Sequence, residues 1–363
     1  MIRNRRAIVS QGALQEGAAH IGLENPARRA ATRYRTAAKV TPGHWRACSR
    51  GDSVRCMRTR SLFSTAVLLC GCSLHHRPAV PEPVRGPTRD SLFHLDQTRA
   101  DSVAASGAVD GLLAFLAPDV VYLRAGVPAV YGRDAVRALM TAGGSASAAE
   151  ITWQPLGGGV SNDLHSAYTF GIAARAAQPR AMRLERYIAY WRRLPDQSWR
   201  IAAYAEVGVD RATVGVLPAD RPAPAGRPQP KSTREAIAMI RATDSLFSDL
   251  ADRMGNAFAF ANSVDPYGVV FGAPQLVIGP KAVQEFFSAE RGGSSLSWHP
   301  IYADVAGSLD LGFTIGEYSV TSLSTSGATI QRFGKYLTVW KRQPDGTWKF
   351  VIDGGNGTPT KGE

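Results

Sequence analysis

Residues 186–201 read RYIAYWRRLPDQSWRI, and residues 335–350 read KYLTVWKRQPDGTWKF. Six of the 16 positions are identical, and four of the other ten exchange Arg for Lys or Ile for Leu. Each stretch is a pair of apolar, aromatic-rich runs about a turn, Pro195-Asp196-Gln197-Ser198 or Pro344-Asp345-Gly346-Thr347. Proline presets one torsion of such a turn, and Asp and Gly tolerate the others, so both stretches predict β-hairpins. Outward from the hairpins the match continues at an offset of 145 to 149 residues. Trp153-Gln154-Pro155 pairs with Trp298-His299-Pro300, Tyr168-Thr169-Phe170-Gly171 with Phe313-Thr314-Ile315-Gly316, and residues 131–136 with 278–283. Six of the seven tryptophans fall into three matched pairs, which marks an internal duplication.

The copies occupy residues 89–210 and 236–356. Between them, 211–235 carries Pro218, Pro222, Pro224, Pro228 and Pro230, too dense in proline for a helix or a central strand, and reads as a linker. Residues 357–363 form a tail. Each copy is long enough for a core of its own. Within a copy, residues 101–116 and 237–261 carry helix formers at helical spacing, and 135–140 and 282–287 predict a short second helix. Strand-like runs follow at 151–155, 164–172, 184–193 and 199–207, then at 296–302, 309–321, 333–342 and 348–352. Residues 187–191 place apolar side chains on both strand faces, which requires a sheet covered on both sides. Helices first and a long antiparallel meander after them predict an α+β fold in two copies.

A helical opening, a G-x-x-A-[VI] helix start (Gly132 to Val136, Gly279 to Val283) and a closing hairpin with Trp-[Arg/Lys]-Arg-x-Pro-Asp resemble the SnoaL-like and ketosteroid isomerase-like proteins, in the superfamily named after nuclear transport factor 2. The closest resemblance is to its unassigned bacterial secreted branch. It covers most of residues 90–356 and implies a curved antiparallel sheet wrapped around helices into a cone. It also implies an apolar pocket in each cone and sheet-to-sheet pairing, here as an internal pseudo-dimer within a monomer. It does not settle chemistry, because that superfamily includes isomerases, dehydratases, cyclases and proteins without a reaction.

Aligning the copies sets Tyr204 against Asp353, His165 against Asp310, Glu185 against Gly334 and Glu206 against Gly355. On the strands no carboxylate meets a carboxylate, so neither cone is expected to carry a matched acid and base. The candidate catalytic residues are Asp353, Tyr318 and His299, all in the second copy. Strict strand alternation sets Asp353 beside Val351 and opposite Trp348, Phe350 and Ile352. If that face looks into the cone, Asp353 is positioned to act as a general base near Tyr318 or His299.

The net charge of +12 suggests nucleic acid until it is divided along the chain. Residues 1–56 hold 11 Arg or Lys against three acids, which is +8, so the remaining 307 residues carry only +4. Nucleic acid is not an expected partner. All four cysteines lie at or before position 72, which leaves no cysteine metal site or disulfide in either copy. No phosphate loop, serine elbow or His-Glu-x-x-His motif occurs, and no cofactor or metal is expected. From Met57 the chain runs through Arg58 and Arg60, an apolar run from Leu62 to Leu69, and then Cys70-Gly71-Cys72. That is the layout of a secretory signal, and Leu69-Cys70-Gly71-Cys72 resembles the lipobox of bacterial lipoproteins. Residues 57–72 are therefore expected to be a lipoprotein signal peptide with lipidation at Cys72. Residues 73–88, rich in proline, are expected to form an extended stalk, and residues 1–56 a disordered extension from a start assigned too early. The expected protein is a lipid-anchored component of the bacterial cell envelope that binds a small apolar or amphiphilic molecule or an envelope protein. The alternative is an isomerase, dehydratase or cyclase active in one cone, the second. A third reading is a structural pair whose interiors are filled.

Overall fold

The computed structural model describes residues 82–142, 151–177, 181–208, 229–271, 276–289, 294–324 and 326–359. The signal peptide, Cys72 and most of the proline-rich linker lie outside the described residues. The first copy opens with helices α1 (Glu82–Gln97), α2 (Arg99–Ser106) and α3 (Ala108–Leu113). It continues with β1 (Leu116–Leu123), β2 (Val130–Tyr131), α4 (Arg133–Ala142), β3 (Ile151–Val160), β4 (Ser166–Ala177), β5 (Ala181–Arg193) and β6 (Trp199–Gly208). The second repeats the order with α5 (Thr233–Met254), α6 (Asn256–Ser263), β7 (Val264–Val270), β8 (Val277–Ile278) and α7 (Gly279–Ala289). Its meander is β9 (Ser295–Val305), β10 (Leu311–Leu323), β11 (Thr329–Arg342) and β12 (Trp348–Thr358). The fold is α+β in two copies. Helix α1 begins inside the expected stalk, so residues 82–88 are helical and not extended. Pro83 stands in the first turn, where backbone N–H groups have no intrahelical partner and a missing donor costs little.

Helix α5 shows how its sequence sets it. Ser232 caps it, its hydroxyl accepting from the Glu235 N–H at 3.2 Å. Ala236, Ile240, Asp244, Phe247, Ser248 and Ala251 then form one buried face at helical spacing. Gly255 ends it at φ 84°, and Gly107 breaks the first copy's helices at φ 82°. Both lie in the left-handed region that costs glycine least. The helical run expected over 101–116 is therefore interrupted at Gly107 and gives way to a strand at Leu116.

The sheets share one strand order, β2-β1-β6-β5-β4-β3 and β8-β7-β12-β11-β10-β9. The four-strand meander is antiparallel as expected, but β1 and β7 add parallel to β6 and β12, so each sheet is mixed. Both hairpin turns form: Asp196 and Asp345 each accept a backbone N–H two residues on, from Ser198 and Thr347, at 2.9 Å. Trp191 and Trp340 donate to Thr169 and Thr314 across the same strand pairs, at 2.9 and 2.8 Å.

One face of each sheet closes over its own helices, and the other faces meet in a shared apolar layer. Ile188 and Tyr190 belong to that layer, whereas Tyr187 and Trp191 belong to the first cone's interior. Across the layer Phe170 meets Phe271 at 5.9 Å and Tyr190 meets Phe313 at 4.7 Å between ring centres. Asn356 adds polar register, donating to the carbonyls of Leu123 and Glu206 at 3.1 and 2.6 Å. Its side-chain oxygen accepts from Lys335, whose ammonium burial pulls down to about 8 against the opposing Glu206 charge.

Candidate functional site

Strand pairing fixes how the copies correspond. Leu116 pairs Ile201 as Val264 pairs Phe350, and Val121 pairs Ala203 as Val269 pairs Ile352. Gly107 and Gly255 anchor the helices in the same way. Asp96 thereby corresponds to Asp244, Arg99 to Phe247, Tyr122 to Val270, Tyr204 to Asp353 and Glu206 to Gly355.

The second cone holds an open-mouthed cavity of about 320 Å³. Phe247 on α5, Phe260 on α6, Phe286 and Phe287 on α7, and Trp298, Tyr318 and Tyr336 on the sheet give it an aromatic lining, with Asp353 as its carboxyl group. Phe247 is the hub of these rings, edge-on to Trp298 at 4.6 Å and to Phe260 at 4.7 Å. Tyr336 and Tyr318 lie close against the sheet because Gly316 and Gly334 carry no side chain: a Cβ there would stand 2.4 Å from the Tyr336 hydroxyl or 2.2 Å from the Tyr318 ring.

Asp353 reaches the cavity through a bulge. Between Val339 and Trp340 the pairing with β12 skips Val351, so Val351 and Ile352 both turn toward the other sheet. Asp353 then shares the cone face with Trp348 and Phe350. Strict alternation had set it opposite them, and the inserted residue reverses that expectation. Its carboxylate accepts from the Thr338 hydroxyl. Burial pushes the carboxyl up to about 7, the Thr338 bond opposes this, and the charge of Asp244 adds to it.

Behind the cavity wall stands a second carboxyl group. Asp244 is buried on α5 and accepts from Trp298 Nε1 at 2.9 Å and the Tyr336 hydroxyl at 2.8 Å. Burial raises it, while Thr314, Trp298 and Tyr336 hold it down through hydrogen bonds. Burial, followed by the Asp244 charge and hydrogen bond, drives the Tyr336 hydroxyl well above its ordinary value. Tyr318 is raised by burial and then by Asp353.

The first cone has the same framework, with buried rings and a guanidinium where the second has smaller or other side chains. Tyr187 donates to Asp96 at 2.6 Å as Tyr336 does to Asp244. The copies therefore share a helical carboxylate bonded to a strand tyrosine, a pair that comparing the strands alone did not show. Tyr122 and Tyr204 stack at 5.3 Å where the second cone has Val270 and Asp353, and Tyr122 donates to Glu206 where the second has glycine. Arg99 is fully buried among these rings.

Of the sequence candidates, Asp353 and Tyr318 line one cavity. His299 does not join them. It lines an adjoining depression of about 180 Å³ with Glu317 and Tyr318, so Tyr318 borders both spaces while His299 and Asp353 share none. Among the described residues no group of three or more His, Cys, Asp or Glu side chains is placed to hold a metal ion. Reading strands for acids missed Asp96 and Asp244, which are on helices. The available signal was a carboxylate inside the apolar stripe of α5, four residues after Ile240 and three before Phe247.

No protein-family model matches the sequence, and no curated protein matches it. Among solved structures the chain is similar to a ketosteroid isomerase-like protein from Erwinia carotovora atroseptica, 16% identical over 34% of this chain and 96% of that one, at a TM-score of 0.30. It is also similar to a nuclear transport factor 2-like protein with a cystatin-like fold from Novosphingobium aromaticivorans, 20% identical over 35% and 85%, at 0.30. A third is a nuclear transport factor 2-like superfamily protein from Salmonella enterica serovar Typhimurium, 14% identical over 35% and 94%, at 0.29. Each match spans about a third of this chain.

Proposed function

We propose that the second cone binds a small, largely apolar molecule carrying one polar group, and that the first cone is a filled scaffold. The observation that carries this is the pair of interiors. Three positions that are Val270, Asp353 and Gly355 around the cavity are Tyr122, Tyr204 and Glu206 in the first copy. A cavity of about 320 Å³ lies in the range of small-ligand pockets. Its ligand would lie among the rings with its polar group toward Asp353 and Tyr318. The test is the fluorescence of N-phenyl-1-naphthylamine, a neutral apolar probe, titrated with the chain. Saturable enhancement is expected in the wild type, and Val270→Tyr, which installs the first copy's residue, should abolish it in a still-folded protein. Equal enhancement in both would refute the assignment to this cavity.

A second reading, an isomerase, dehydratase or cyclase-type activity in the second cone, draws on Asp353. A carboxyl titrating at about 7 is half ionised near neutrality, the range in which a group both takes and returns a proton. We also infer that the chain acts as a monomer anchored to the bacterial cell envelope through Cys72, which rests on Leu69-Cys70-Gly71-Cys72 and the basic, apolar run before it. An envelope protein as partner is the remaining alternative to a small ligand.

A further inference from the structure

Arg99 is a buried cation held by rings. Its guanidinium carbon lies 4.5 Å from the ring centre of Trp153, 5.0 Å from Tyr187, 5.4 Å from Tyr204 and 5.9 Å from Trp191. Its Nη2 is 2.6 Å from Asp96 Oδ1. A cation over aromatic faces is attracted by their quadrupoles, and desolvation strengthens the attraction. Burial opposes the Arg99 charge, yet Asp96 and then the hydroxyls of Tyr204 and Tyr187 leave it raised and firmly protonated.

The second cone repeats four of these five partners as Trp298, Tyr336, Trp340 and Asp244. The fifth, Tyr204, becomes a carboxyl group, Asp353. The cation is not repeated, because its position is Phe247. No Arg or Lys lines the cavity among the described residues. Arg241, whose charge acts on Tyr336, is exposed and reaches the Pro300 carbonyl at 3.3 Å. Compared with the first interior, the second has a carboxyl moved, Asp353 replacing Tyr204 while Gly355 replaces Glu206, and has lost the guanidinium. The space vacated by the Tyr204 and Tyr122 rings lies beside Asp353, bordered by Trp298, Tyr318 and Tyr336.

We propose that the second cone's ligand is a cation, an ammonium or guanidinium on an apolar body, with Asp353 as its counter-ion. The proposal rests on the reading that the second cone is the ligand-binding half. The first cone supplies the guanidinium from its own chain, and the second takes its positive charge from solution. Both carboxyl groups of the second interior are raised, as expected of acids buried together without a cation.

Two probes of nearly equal shape separate the possibilities: phenyltrimethylammonium, charged, and tert-butylbenzene, neutral. Both are titrated calorimetrically against the full chain at about pH 8, above the pKa of Asp353. The cation should bind at least about tenfold more tightly than the hydrocarbon. Asp353→Asn, checked for folding by its thermal transition, should remove that preference and keep the hydrocarbon's affinity. Equal affinities in the wild type would overturn the inference while leaving an apolar pocket standing. A preference that survives in Asp353→Asn would overturn it as well. If neither probe binds, the ligand-binding reading of the cone fails together with this one. The wild-type comparison stands alone should the variant fail to fold.

Discussion

Replacing Asp353 with Asn should make stability less dependent on pH, by an amount the structure sets. In the unfolded chain this carboxyl titrates at its ordinary 3.8, and in the folded chain at about 7. Between those values the folded state holds a proton that the unfolded state has released. The contribution is full below pH 3.8, shrinks as pH rises, and is lost once pH passes about 7. At 1.36 kcal/mol per unit, that separation is worth about 4 kcal/mol. Asn keeps the shape and can still accept from Thr338, but it has no proton to lose. Urea unfolding of wild type and Asp353→Asn at several values from about pH 4 to about pH 8 isolates the effect, because other titrating groups largely cancel in the difference. The variant should gain on the wild type by about 4 kcal/mol across the range. Asp244 faces the same interior and is coupled to Asp353, so some of the change will appear as an altered titration of that neighbour. A difference that stays flat with pH would show Asp353 to titrate as an ordinary surface acid, and one that favours the wild type as pH rises would show its carboxylate to be stabilised by the fold; either refutes the reasoning.

Three further outcomes are expected. Arg99→Ala leaves Asp96 buried without its cation and should cost about 3–5 kcal/mol in urea unfolding, with part recovered by added methylguanidinium. Phe313→Ala removes a fully buried ring from the layer between the sheets and should cost about 3–5 kcal/mol, measured in the same way. Cys72→Ala should leave the exported protein unlipidated, and membrane fractionation with mass spectrometry would show this. A mature membrane form that retains residues before Cys72 would contradict it.

The duplication, the hairpins and the two covered sheets were legible because they rest on local marks: matched tryptophans, Pro-Asp turns and side chains alternating apolar on both faces. Strands β1 and β7 were not. Residues 116–123, LAPDVVYL, continue an apolar helical run and lack alternation, and their parallel partner strand is some 80 residues away in sequence. The face of Asp353 was also hidden, since a bulge leaves no mark in a run such as Phe350-Val351-Ile352. The helical acids carried a misleading mark. The tetrapeptide DSLF occurs at 90–93 and again at 244–247, and aligning on it would set Asp90 against Asp244. In the folded chain Asp90 is exposed, and Asp96, six residues later, accepts from the tyrosine.

The meeting of two unlike cones across one apolar layer bears on stoichiometry. Two identical subunits joined by a rotation axis must carry the same residue at both equivalent places, so a tyrosine that closed one interior would close the other. Fusion in a single chain lifts that constraint, and Tyr122 can stand opposite Val270. Titration of such a chain should show one site per molecule and a simple hyperbola, without the sigmoidal or biphasic curve that two communicating sites can give. Mutational drift should also be unequal, with the Arg99 half answering only to folding and the Asp353 half to its guest as well.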